Sequence, residues 1–370
     1  MNIRVLHVVT SLDPGGMENG VCNLANGLSA FGFETHIACL ERRGAFADRL
    51  SQPERVSTLG KHDGFSVRAV LTLMRLLRRV RPNIVHTHNL GPLIYTVLAT
   101  FGGRSYPILH GEHSQLAPWE IEQRRLRQRH KLYRACRAVH TVSQGQLDEL
   151  NKLSFPREKL TAVANGVDTL RFIPTDRITA RAKLGLPADA TVLGLVGRFG
   201  PFKRHDILLT AFEELAANYP KAHLLFIGGG GSEEGRIRKL VAASPQVHRV
   251  HLTGFQASPE LFYNALDLLV IPSVNEGMSN AALEAMACAV PVLGNFGCGH
   301  EQIITSGKEG VLADLSTSSS LCAELAAILS NSQALVDMGR HARTTLVSRF
   351  PITAMLEAYA QLYRAHARTA

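Results

Sequence analysis

Short apolar runs alternate with helical patterns along most of this chain, and this alternation constrains its fold more than any other feature. In the first half the pattern predicts strands near residues 3–9, 34–40, 83–87, 106–110, 138–142 and 160–164, and helices near 17–31, 66–80, 91–101, 120–136 and 144–152. The second half repeats the scheme, with strands near 191–196, 222–228, 248–252, 267–271 and 290–294 and helices near 203–218, 233–243, 258–265 and 280–288. Such alternation predicts an α/β protein whose parallel sheets are covered by helices on both faces.

The length and one turn-rich segment predict two domains. A chain of 370 residues exceeds one ordinary α/β layer, and residues 165–174 are typical of a linker. We therefore expect domains at 1–170 and 171–350, followed by a final helix in an all-helical region that begins near residue 318. Two such domains would bind a ligand in the cleft between their strand ends, as parallel sheets usually do.

Composition limits the class of protein and its compartment. With 45% hydrophobic and 19% charged residues, the chain can bury two cores and is not disordered. Its six cysteines are not spaced in pairs as metal ligands are. This pattern indicates small, buried hydrophobic residues in a reducing compartment. The first predicted strand is entered without a basic n-region or a small-residue cleavage site, so we expect no signal segment. The longest stretch without Asp, Glu, Lys or Arg, residues 82–103, contains histidines and prolines. We expect a cytoplasmic protein with no spanning helix.

The net charge of +9 lies almost wholly in the first half of the chain. Residues 1–170 carry 22 Lys and Arg against 14 Asp and Glu, whereas residues 171–370 carry 18 against 17. Two basic segments dominate, 68–81 and 124–137, and both have apolar residues at helical spacing. Each is either the solvated face of a core-packed helix or a face held against anionic lipid. Nucleic acid is disfavoured because no aromatic residues interleave the arginines.

A segment in the second half combines two glutamates with a predicted helix start. The apolar run at 266–273 is typical of a buried strand, so Glu276 falls in the loop at the carboxyl end of that strand. Ser279 or Asn280 can cap the helix that follows, and the backbone N–H groups of residues 277–280 favour an anion there. Glu284 lies about two turns further on, so carboxylates for hydroxyls flank a phosphate site, as a nucleotide-sugar requires. The alternative is an ordinary pair of glutamates in surface ion pairs.

The same residues resemble a family motif. Glu276-Gly277-Met278, Leu283-Glu284-Ala285-Met286-Ala287 and Pro291-Val292 resemble the donor-binding motif of the group 1 glycosyltransferases, family 4 of the retaining sugar-nucleotide enzymes. Met278 replaces the usual aromatic residue, and Ala289 replaces the usual glycine, which hints at a different turn into the next strand. In the resembling sequences, the donor is held by the segment that here comprises Glu276, Gly277, Met278, Ser279, Asn280 and Glu284.

The resemblance covers nearly the whole chain and implies the GT-B fold. That fold consists of two facing, doubly wound Rossmann-like domains with an interdomain cleft. The resemblance further implies that residues 1–170 form the acceptor side, that residues 171–350 bind the nucleotide-sugar, and that the C-terminal helix at about 351–370 packs back on the first domain.

Two further loops resemble phosphate-binding segments of the family. Arg198 and Lys203 follow the first strand of the second domain, where two cations beside a helix N-terminus would neutralise a diphosphate leaving group. By themselves an Arg and a Lys in a loop would more often be solvated. Gly15 and Gly16 follow the first strand of the first domain and match the family's G-G-x-E, with Glu18 at a helix start; the alternative to phosphate contact is a tight βα turn.

Histidines cluster in the first half of the chain. His86 and His88 end one predicted strand, and His110 and His113 end another. A zinc site is a weak interpretation of this pattern because no cysteine or matching carboxylate accompanies them. The family resemblance indicates instead that a histidine lines the reaction centre. His113 is the candidate and His110 the alternative.

The absence of two sequence motifs limits the cofactors that we expect this protein to bind. The glycine run at 228–231 lacks the third glycine of a dinucleotide fingerprint, and no two aspartates stand two apart to clamp a metal. We expect no cofactor and no metal requirement, with charge neutralised by Arg198, Lys203 and helix termini.

The sequence thus predicts a retaining glycosyltransferase with a nucleoside-diphosphate sugar, such as a UDP-sugar, as donor. The resemblance implies that Glu276 holds sugar hydroxyls and Glu284 the ribose. A weaker likeness to exopolysaccharide-associated transferases suggests a glycan or polyprenyl-diphosphate-linked acceptor in surface polysaccharide synthesis, with the protein peripheral on the inner membrane face. The alternatives are a GT-B sugar-nucleotide epimerase and a non-catalytic nucleotide-sugar-binding module.

Overall fold

The computed structural model describes residues 2–368 and divides the chain into two compact units. The first unit comprises the residues up to Asn165 together with those from Thr353 onwards, and the second comprises Gly166–Ile352. Met1, Thr369 and Ala370, which the predicted ranges 1–170 and 351–370 include, lie outside the described residues. The assignment of an acceptor role to one unit and a donor role to the other remains a prediction.

The first unit is built on a seven-stranded parallel sheet in the order β3-β2-β1-β4-β5-β6-β7. Its strands are β1 (Ile3–Ser11), β2 (Phe33–Arg42), β3 (Val56–Thr58), β4 (Ile84–His88), β5 (Ile108–Glu112), β6 (Ala138–Thr141) and β7 (Leu160–Ala162). Its helices before the linker are α1 (Gly16–Gly27), α2 (Val67–Val80), α3 (Leu90–Ala99), α4 (Gln123–Arg134) and α5 (Gln144–Lys152). The strand order reverses beside β1, as in doubly wound folds, where ligands bind at the carboxyl ends of the strands.

Helix α2 illustrates how the sequence pattern fixes the packing in this unit. The Ser66 side chain accepts a hydrogen bond from the Ala69 backbone N–H at 3.2 Å and so caps the helix N-terminus. Leu73, Leu77 and Val80 recur at helical spacing and are buried against the sheet. The arginines of α2 therefore lie on its outer face, and Arg75, Arg78 and Arg79 are exposed.

The second unit repeats the architecture with a six-stranded parallel sheet in the order β10-β9-β8-β11-β12-β13. Its strands are β8 (Thr191–Val196), β9 (Ala222–Ile227), β10 (Val250–Leu252), β11 (Leu268–Ile271), β12 (Val292–Asn295) and β13 (Gly310–Ala313). Its helices are α6 (Arg177–Lys183), α7 (His205–Leu215), α8 (Glu234–Ala243), α9 (Glu260–Ala265), α10 (Asn280–Ala287), α11 (Ser318–Leu329) and α12 (Ser332–Arg349). The predicted α/β class and doubly wound parallel sheets are confirmed.

The last helix returns to the first unit. Helix α13 (Ile352–His366) begins at the boundary between the units and buries Tyr359 and Tyr363 within the first unit. The Tyr363 hydroxyl lies 2.7 Å from Nδ1 of His86, and Tyr359 packs edge-on against His140. The other residues of the first unit come before the second unit in the sequence. This last helix, which follows the second unit, therefore completes the core of the first unit.

Some short elements were not predicted. The pattern missed β3, β13 and α6, which span three to seven residues. Within residues 2–368 no helix is both long and apolar enough to cross a membrane.

Candidate functional site

Two loops at the carboxyl end of the second sheet and the helix α10 carry the four predicted ionic side chains, which we call the charged cluster: Arg198, Lys203, Glu276 and Glu284. Arg198 and Lys203 lie in the loop between β8 and α7, and Glu276 lies in the loop between β11 and α10. Strands β8 and β11 are neighbours in the sheet. The two loops are also joined directly, because the Val274 backbone N–H donates a hydrogen bond to the Phe202 carbonyl at 2.9 Å.

Lys203 and Glu276 form an ion pair at the centre of this cluster. Their Nζ and Oε1 atoms lie 2.5 Å apart, and the side chains are only 27% and 18% exposed. Burial raises the pKa of Glu276, but the charge of Lys203 and its hydrogen bond outweigh that effect, so the pKa is lowered overall. Glu276 is therefore a carboxylate at neutral pH and can accept hydrogen bonds from hydroxyl groups.

Gly197 determines the path of the Lys203 side chain. The backbone of Gly197 has φ 154°, and a Cβ placed there would lie 3.1 Å from Cε and 3.4 Å from Cδ of Lys203. The lysine stem therefore passes directly over the glycine on its way to Glu276. This gives a physical reason for a glycine immediately before Arg198.

Arg198 and Arg204 differ in how far their guanidinium groups are engaged. Arg198 is exposed, and its side chain makes no hydrogen bond or ion pair with any of residues 2–368. Arg204 adopts φ 56° and donates from Nη2 to the Ser316 carbonyl at 2.6 Å. Arg198 is thus the cation of this loop that remains available to an anionic ligand.

Helix α10 begins as the sequence predicted. Ser279 is the N-cap, and its hydroxyl accepts a hydrogen bond from the Ala282 backbone N–H at 3.3 Å. Gly277, Met278 and Ser279 are buried, and Asn280 opens the helix. The N-terminus of α10 therefore lies beside Glu276, where the helix dipole favours an anion.

Glu284 is fixed by a neighbouring tyrosine. Its Oε2 accepts a hydrogen bond from the Tyr263 hydroxyl at 2.7 Å, and Tyr263 is fully buried. Burial, together with the charge of Glu284, raises the pKa of Tyr263 well above its usual value, so the tyrosine remains a donor. The carboxylate predicted to hold a ribose is thereby held in one orientation.

The glycine run at 228–231 packs against the Arg198 loop. The Phe199 backbone N–H donates to the Gly230 carbonyl at 2.8 Å, and the Glu233 backbone N–H donates to the Phe199 carbonyl at 2.9 Å. These hydrogen bonds show that the glycine run forms a turn packed against the loop.

The sequence analysis missed His300, which is buried beside Glu276. Its Nδ1 donates to the Asn295 carbonyl at 3.0 Å, and its Nε2 has no hydrogen-bond partner among the described residues. Burial lowers the pKa of His300, against the smaller opposing effect of that hydrogen bond and of the Glu276 charge. No local motif marks this residue, since it approaches Glu276 only through the loop after β12.

In the first unit, Gly15 and Gly16 lie at the carboxyl end of β1. Gly15 is the N-cap of α1 in extended backbone, and Gly16 is the first helical residue. Glu18 falls in the first helical turn, where the helix dipole favours its charge, and its side chain is buried. Phosphate contact by the two glycines stays a prediction.

Five histidines occupy one region of the first sheet, and we call them the histidine cluster: His7, His86, His88, His113 and His140. The imidazoles form two hydrogen-bonded groups. His7 Nδ1 lies 3.0 Å from His88 Nε2, and His88 Nδ1 lies 2.9 Å from His113 Nε2. His86 Nε2 lies 2.8 Å from His140 Nε2.

The histidine cluster is neutral at neutral pH. All of its members except His113 are fully buried. Burial lowers the pKa of His7 to about 3 and that of His113 to about 4, and it also lowers the pKa values of the other three. The sequence analysis missed His7 and His140, although a histidine inside each apolar strand was the available signal.

His110 and His113 are placed very differently. His110 is fully buried on the other side of β5, where Nδ1 accepts from the Thr87 hydroxyl at 2.8 Å and Nε2 donates to Glu112 at 3.1 Å. His113 is partly exposed, and its Nδ1 makes no hydrogen bond within residues 2–368. Of the two histidines, only His113 therefore has a nitrogen available to a ligand.

Glu112 belongs to a buried ionic group behind His113. Arg129 bonds both Glu112 and Glu120, and the Tyr133 hydroxyl donates to Glu112. Burial raises the pKa of Glu112, but Arg129 and His110 lower it more strongly, to about 2. Arg129 is only 1% exposed, so its prediction as part of a lipid-facing basic surface is wrong; the adjacent carboxylates drew it into the core.

The weak zinc interpretation can be compared with the geometry. Nitrogen atoms of His7, His86 and His88 lie within 4.8 Å of one another, whereas His110 and His113 are not part of that group. The facing nitrogens are already joined by hydrogen bonds between neutral imidazoles or to Tyr363. Hydrogen bonding therefore accounts for this arrangement, and the expectation of no metal requirement stays a prediction.

Two family models match the chain in succession. The model described as Glycosyltransferase Family 4 matches residues 14–171, and the model described as Glycosyl transferases group 1 matches residues 176–345. Together they span nearly all of both units.

Curated relatives match parts of the chain. A D-inositol 3-phosphate glycosyltransferase of Rhodococcus jostii is 37% identical over 164 residues, which are 42% of this chain and 36% of the relative. The lipopolysaccharide core biosynthesis glycosyltransferase LpsE of Rhizobium meliloti is 28% identical over 218 residues, covering 59% of this chain and 61% of the relative. The chain matches about half or less of the length of the D-inositol 3-phosphate glycosyltransferases.

Solved structures share the whole architecture. Anabaena Alr3699/HepE, in complex with UDP and glucose, superposes with a TM-score of 0.87 over 98% of this chain and 100% of that chain, at 21% sequence identity. The likeness confirms the GT-B fold.

Proposed function

This chain belongs to the group 1 glycosyltransferases of family 4, and we propose that it transfers a sugar from a nucleoside-diphosphate sugar to a glycan or lipid-linked acceptor with retention of anomeric configuration. The observation that carries the proposal is the Lys203–Glu276 pair, which sits beside the α10 N-terminus and in the same loop system as the unpaired Arg198. An anionic diphosphate and a hydroxylated sugar each find complementary groups there.

The proposed roles follow from charge and position. Glu276 accepts hydrogen bonds from sugar hydroxyls, Glu284 holds the ribose, and Gly277, Met278, Ser279 and Asn280 bring backbone N–H groups to the donor. Arg198 and Lys203 stabilise the charge that develops on the diphosphate as it leaves. Gly15 and Gly16 contribute phosphate contacts from the first unit.

The proposed step is a substitution at the anomeric carbon. The bond from that carbon to the diphosphate oxygen breaks, a bond to the acceptor oxygen forms on the same face, and the acceptor proton passes to the departing phosphate. The products are the glycosylated acceptor and a nucleoside diphosphate. The protein needs no metal in this scheme, because Arg198, Lys203 and the helix N-terminus supply the positive charge.

The reaction is tested by identifying the product. The purified protein is incubated with a panel of nucleotide-sugars, UDP-sugars first because HepE holds UDP and glucose, together with a membrane lipid extract. Mass spectrometry should detect an acceptor that has gained one sugar, with release of the nucleoside diphosphate. Free nucleoside diphosphate without a glycosylated acceptor would favour an epimerase instead, and binding without turnover would indicate a non-catalytic module.

The donor-site assignment is tested at Glu276. The substitution Glu276→Ala removes hydrogen bonds that strengthen in the transition state and should lower turnover roughly 100-fold or more. Asp337→Ala is the matched control, because Asp337 is a carboxylate paired with Arg340 on the exposed surface of α12. Near-normal turnover in Glu276→Ala would show that the donor lies elsewhere.

Metal independence is tested separately. Transfer should continue at an undiminished rate in excess EDTA. Loss of transfer that magnesium or manganese restores would mean that a metal, rather than the two cations, neutralises the diphosphate.

A lipid-linked acceptor, such as a polyprenyl-diphosphate sugar, is supported by two basic helix faces in the first unit. Exposed Phe65, Val67 and Leu71 accompany the exposed arginines of α2. Trp119 and Ile121 are 46% and 42% exposed just before α4, whose exposed basic residues are Arg124, Arg125, Arg127, Lys131 and Arg134. Exposed apolar side chains beside cations suit the surface of an anionic membrane. We infer a cytoplasmic protein that is peripheral on the inner membrane face and acts in surface polysaccharide synthesis.

Membrane binding is tested by sedimentation with vesicles. Reversing the charges of Arg75, Arg78 and Arg125 should weaken binding to anionic vesicles by about fivefold per residue, and added salt should have the same effect. Arg340→Glu, on an exposed face of the second unit, is the control. Equal partitioning onto neutral and anionic vesicles, or none on either, would leave these arginines as solvated surface.

A further inference from the structure

Three histidines of the first unit form a single hydrogen-bonded row that runs from the buried sheet towards solvent. It begins at His7 in β1, passes through His88 at the end of β4 and ends at the partly exposed His113 after β5. Gly111 makes room for it, since a Cβ there would lie 3.0 Å from Nε2 of His113 and 2.5 Å from Nε2 of His140. Each hydrogen bond joins one imidazole nitrogen to the next.

Counting protons leaves two arrangements for this row. Each neutral imidazole carries one N–H, and each of the two hydrogen bonds needs one proton. If the donors point outwards, His7 Nδ1–H donates to His88, His88 Nδ1–H donates to His113, and the proton of His113 is on Nδ1. If they point inwards, the proton of His113 is on Nε2 and that of His7 is on its Nε2.

The inner end of the row distinguishes the two arrangements. Nε2 of His7 is buried and has no hydrogen-bond partner among the described residues. The inward arrangement would leave a buried N–H without an acceptor there, and such groups are rare in folded proteins. The outward arrangement leaves a bare nitrogen at that position and uses every N–H of His7 and His88.

We propose that the row fixes His113 in the tautomer protonated at Nδ1, so that His113 offers an N–H donor to a substrate oxygen, with His7 and His88 as positioning residues. The identity of that oxygen, a sugar hydroxyl or a phosphate, rests on the proposed function. Donation rather than proton abstraction is the role of His113, because its available nitrogen already carries a proton.

The burial of the row disfavours the opposite role. For His113 to act as a base, an extra proton would have to reside on one of the three imidazoles. Burial lowers the pKa of His7 to about 3 and of His113 to about 4, so the charged form of the row is unfavourable at neutral pH.

The direct test is the nitrogen NMR spectrum of the whole protein labelled with [¹⁵N]histidine. Protonated and bare imidazole nitrogens have well-separated chemical shifts, and His113→Asn identifies the His113 signals by their loss. We expect a proton on Nδ1 and none on Nε2 of His113 at pH 7.5. In the unmodified protein, a proton on Nε2 of His113, or rapid averaging of the signals of its two nitrogens, would overturn the proposal.

The positioning role is tested with His7→Phe. This change removes the first donor, so His113 should populate both tautomers and turnover should fall about tenfold, the effect of one lost oriented hydrogen bond. His130→Phe, which replaces a histidine stacked on Phe155 outside the row, should leave the His113 signals unchanged. An unchanged His113 tautomer in His7→Phe would refute the role of the row.

The spectrum does not depend on activity. If no glycosyltransferase product is found but His113 is protonated at Nδ1, the proposed function fails while the proton arrangement stands. If products are found and the proton of His113 is on Nε2, the proposed function stands while the proton arrangement fails.

Discussion

The carboxyl ends of the two sheets use opposite chemistry on the same architecture. Towards the end of the first sheet, the histidine cluster is neutral, buried except for the partly exposed His113, and joined imidazole to imidazole. At the end of the second sheet, the charged cluster pairs Lys203 with the Glu276 carboxylate, whose pKa that lysine lowers. Both sheets are parallel and doubly wound, so the difference comes from the side chains at the strand ends.

The difference shows what burial does to a titratable group with and without an opposite charge. Glu276 remains ionised because Lys203 compensates its desolvation, whereas His7 has no such partner and becomes neutral. A neutral network can orient hydrogen bonds without attracting an anion. A charged network can hold an anion, which is the requirement for a departing diphosphate.

The largest expected effect that separates the two regions is acid sensitivity. The folded-state pKa values of the five cluster histidines lie below the value of about 6.5 for an exposed histidine. The unfolded chain therefore binds more protons, and stability is lost as the pH falls from about 6.5 towards 4, by at most roughly 1.4 kcal/mol per pH unit for each histidine. The pKa of Glu276 is also lowered, so its contribution is lost only below about 4.5.

Hydrogen exchange at pH 5.5 and 7.5, corrected for intrinsic exchange rates, would show which sheet loses protection first as the pH falls. Protection of β1 and β4 should fall before protection of β8 and β11. The second unit is also sensitive to acid, since burial lowers the pKa of His205 to about 3. It contains fewer histidines with a lowered pKa than the first unit. Equal loss of protection in both sheets would contradict the contrast.

The second effect concerns the buried ion pair of Arg129 and Glu112 in the first unit, where the histidine cluster is neutral. Arg129→Leu leaves Glu112 as an uncompensated buried carboxylate and should lower the free energy of unfolding by roughly 3–5 kcal/mol. Arg125→Leu, on the exposed face of the same helix, should change it by no more than about 0.5 kcal/mol. Urea denaturation of both variants would measure the difference, and similar midpoints would show that Arg129 is not a structural residue.

The third effect distinguishes the two cations of the charged cluster. Arg198→Ala and Lys203→Ala should each weaken the binding of free UDP by about tenfold or more, because each removes a charged donor to the diphosphate. Only Lys203→Ala should also raise the pKa of Glu276, which loses its partner. Calorimetry across pH would detect both changes, with Lys221→Ala as the control, since Lys221 pairs with Asp189 on the exposed surface. Unchanged UDP affinity in both variants would place the diphosphate elsewhere.

The smallest effect concerns the turn after α10. Ala289 stands where the family usually has glycine, and it adopts the left-handed conformation with φ 57°. Ala289→Gly should therefore raise the free energy of unfolding by about 0.5–1 kcal/mol. Ala281→Gly, inside α10, should lower it by up to about 1 kcal/mol. Thermal unfolding in which both changes destabilise the protein would show that this backbone is not strained.

The sequence predicted the fold well where patterns repeat. Apolar runs such as Leu268–Ile271 and helix starts such as Ser279 are local signals, and both were found as predicted. The departure at Ala289 also pointed to a special turn. The strands β3 and β13 were not predicted, although strands of similar length such as β7 and β10 were.

Contacts between distant segments were harder to predict. The glutamate motif and the Arg198–Lys203 loop could be assigned to strand ends, but their direct pairing depends on the adjacency of β8 and β11. His7, His140 and His300 reach their partners through register and loop packing, which no local motif encodes. Arg129 was likewise assigned to an exposed basic face, solvated or lipid-facing, because its carboxylate partners lie on other elements.

The return of α13 to the first unit has a consequence for synthesis on the ribosome. Residues up to Asn165 emerge first, yet the helix that carries Tyr359 and Tyr363 is translated only after the whole of unit two. Until then His86 lacks its tyrosine partner, and the apolar surface that these side chains cover is open to water. The nascent first unit therefore stays incomplete until α13 has been translated.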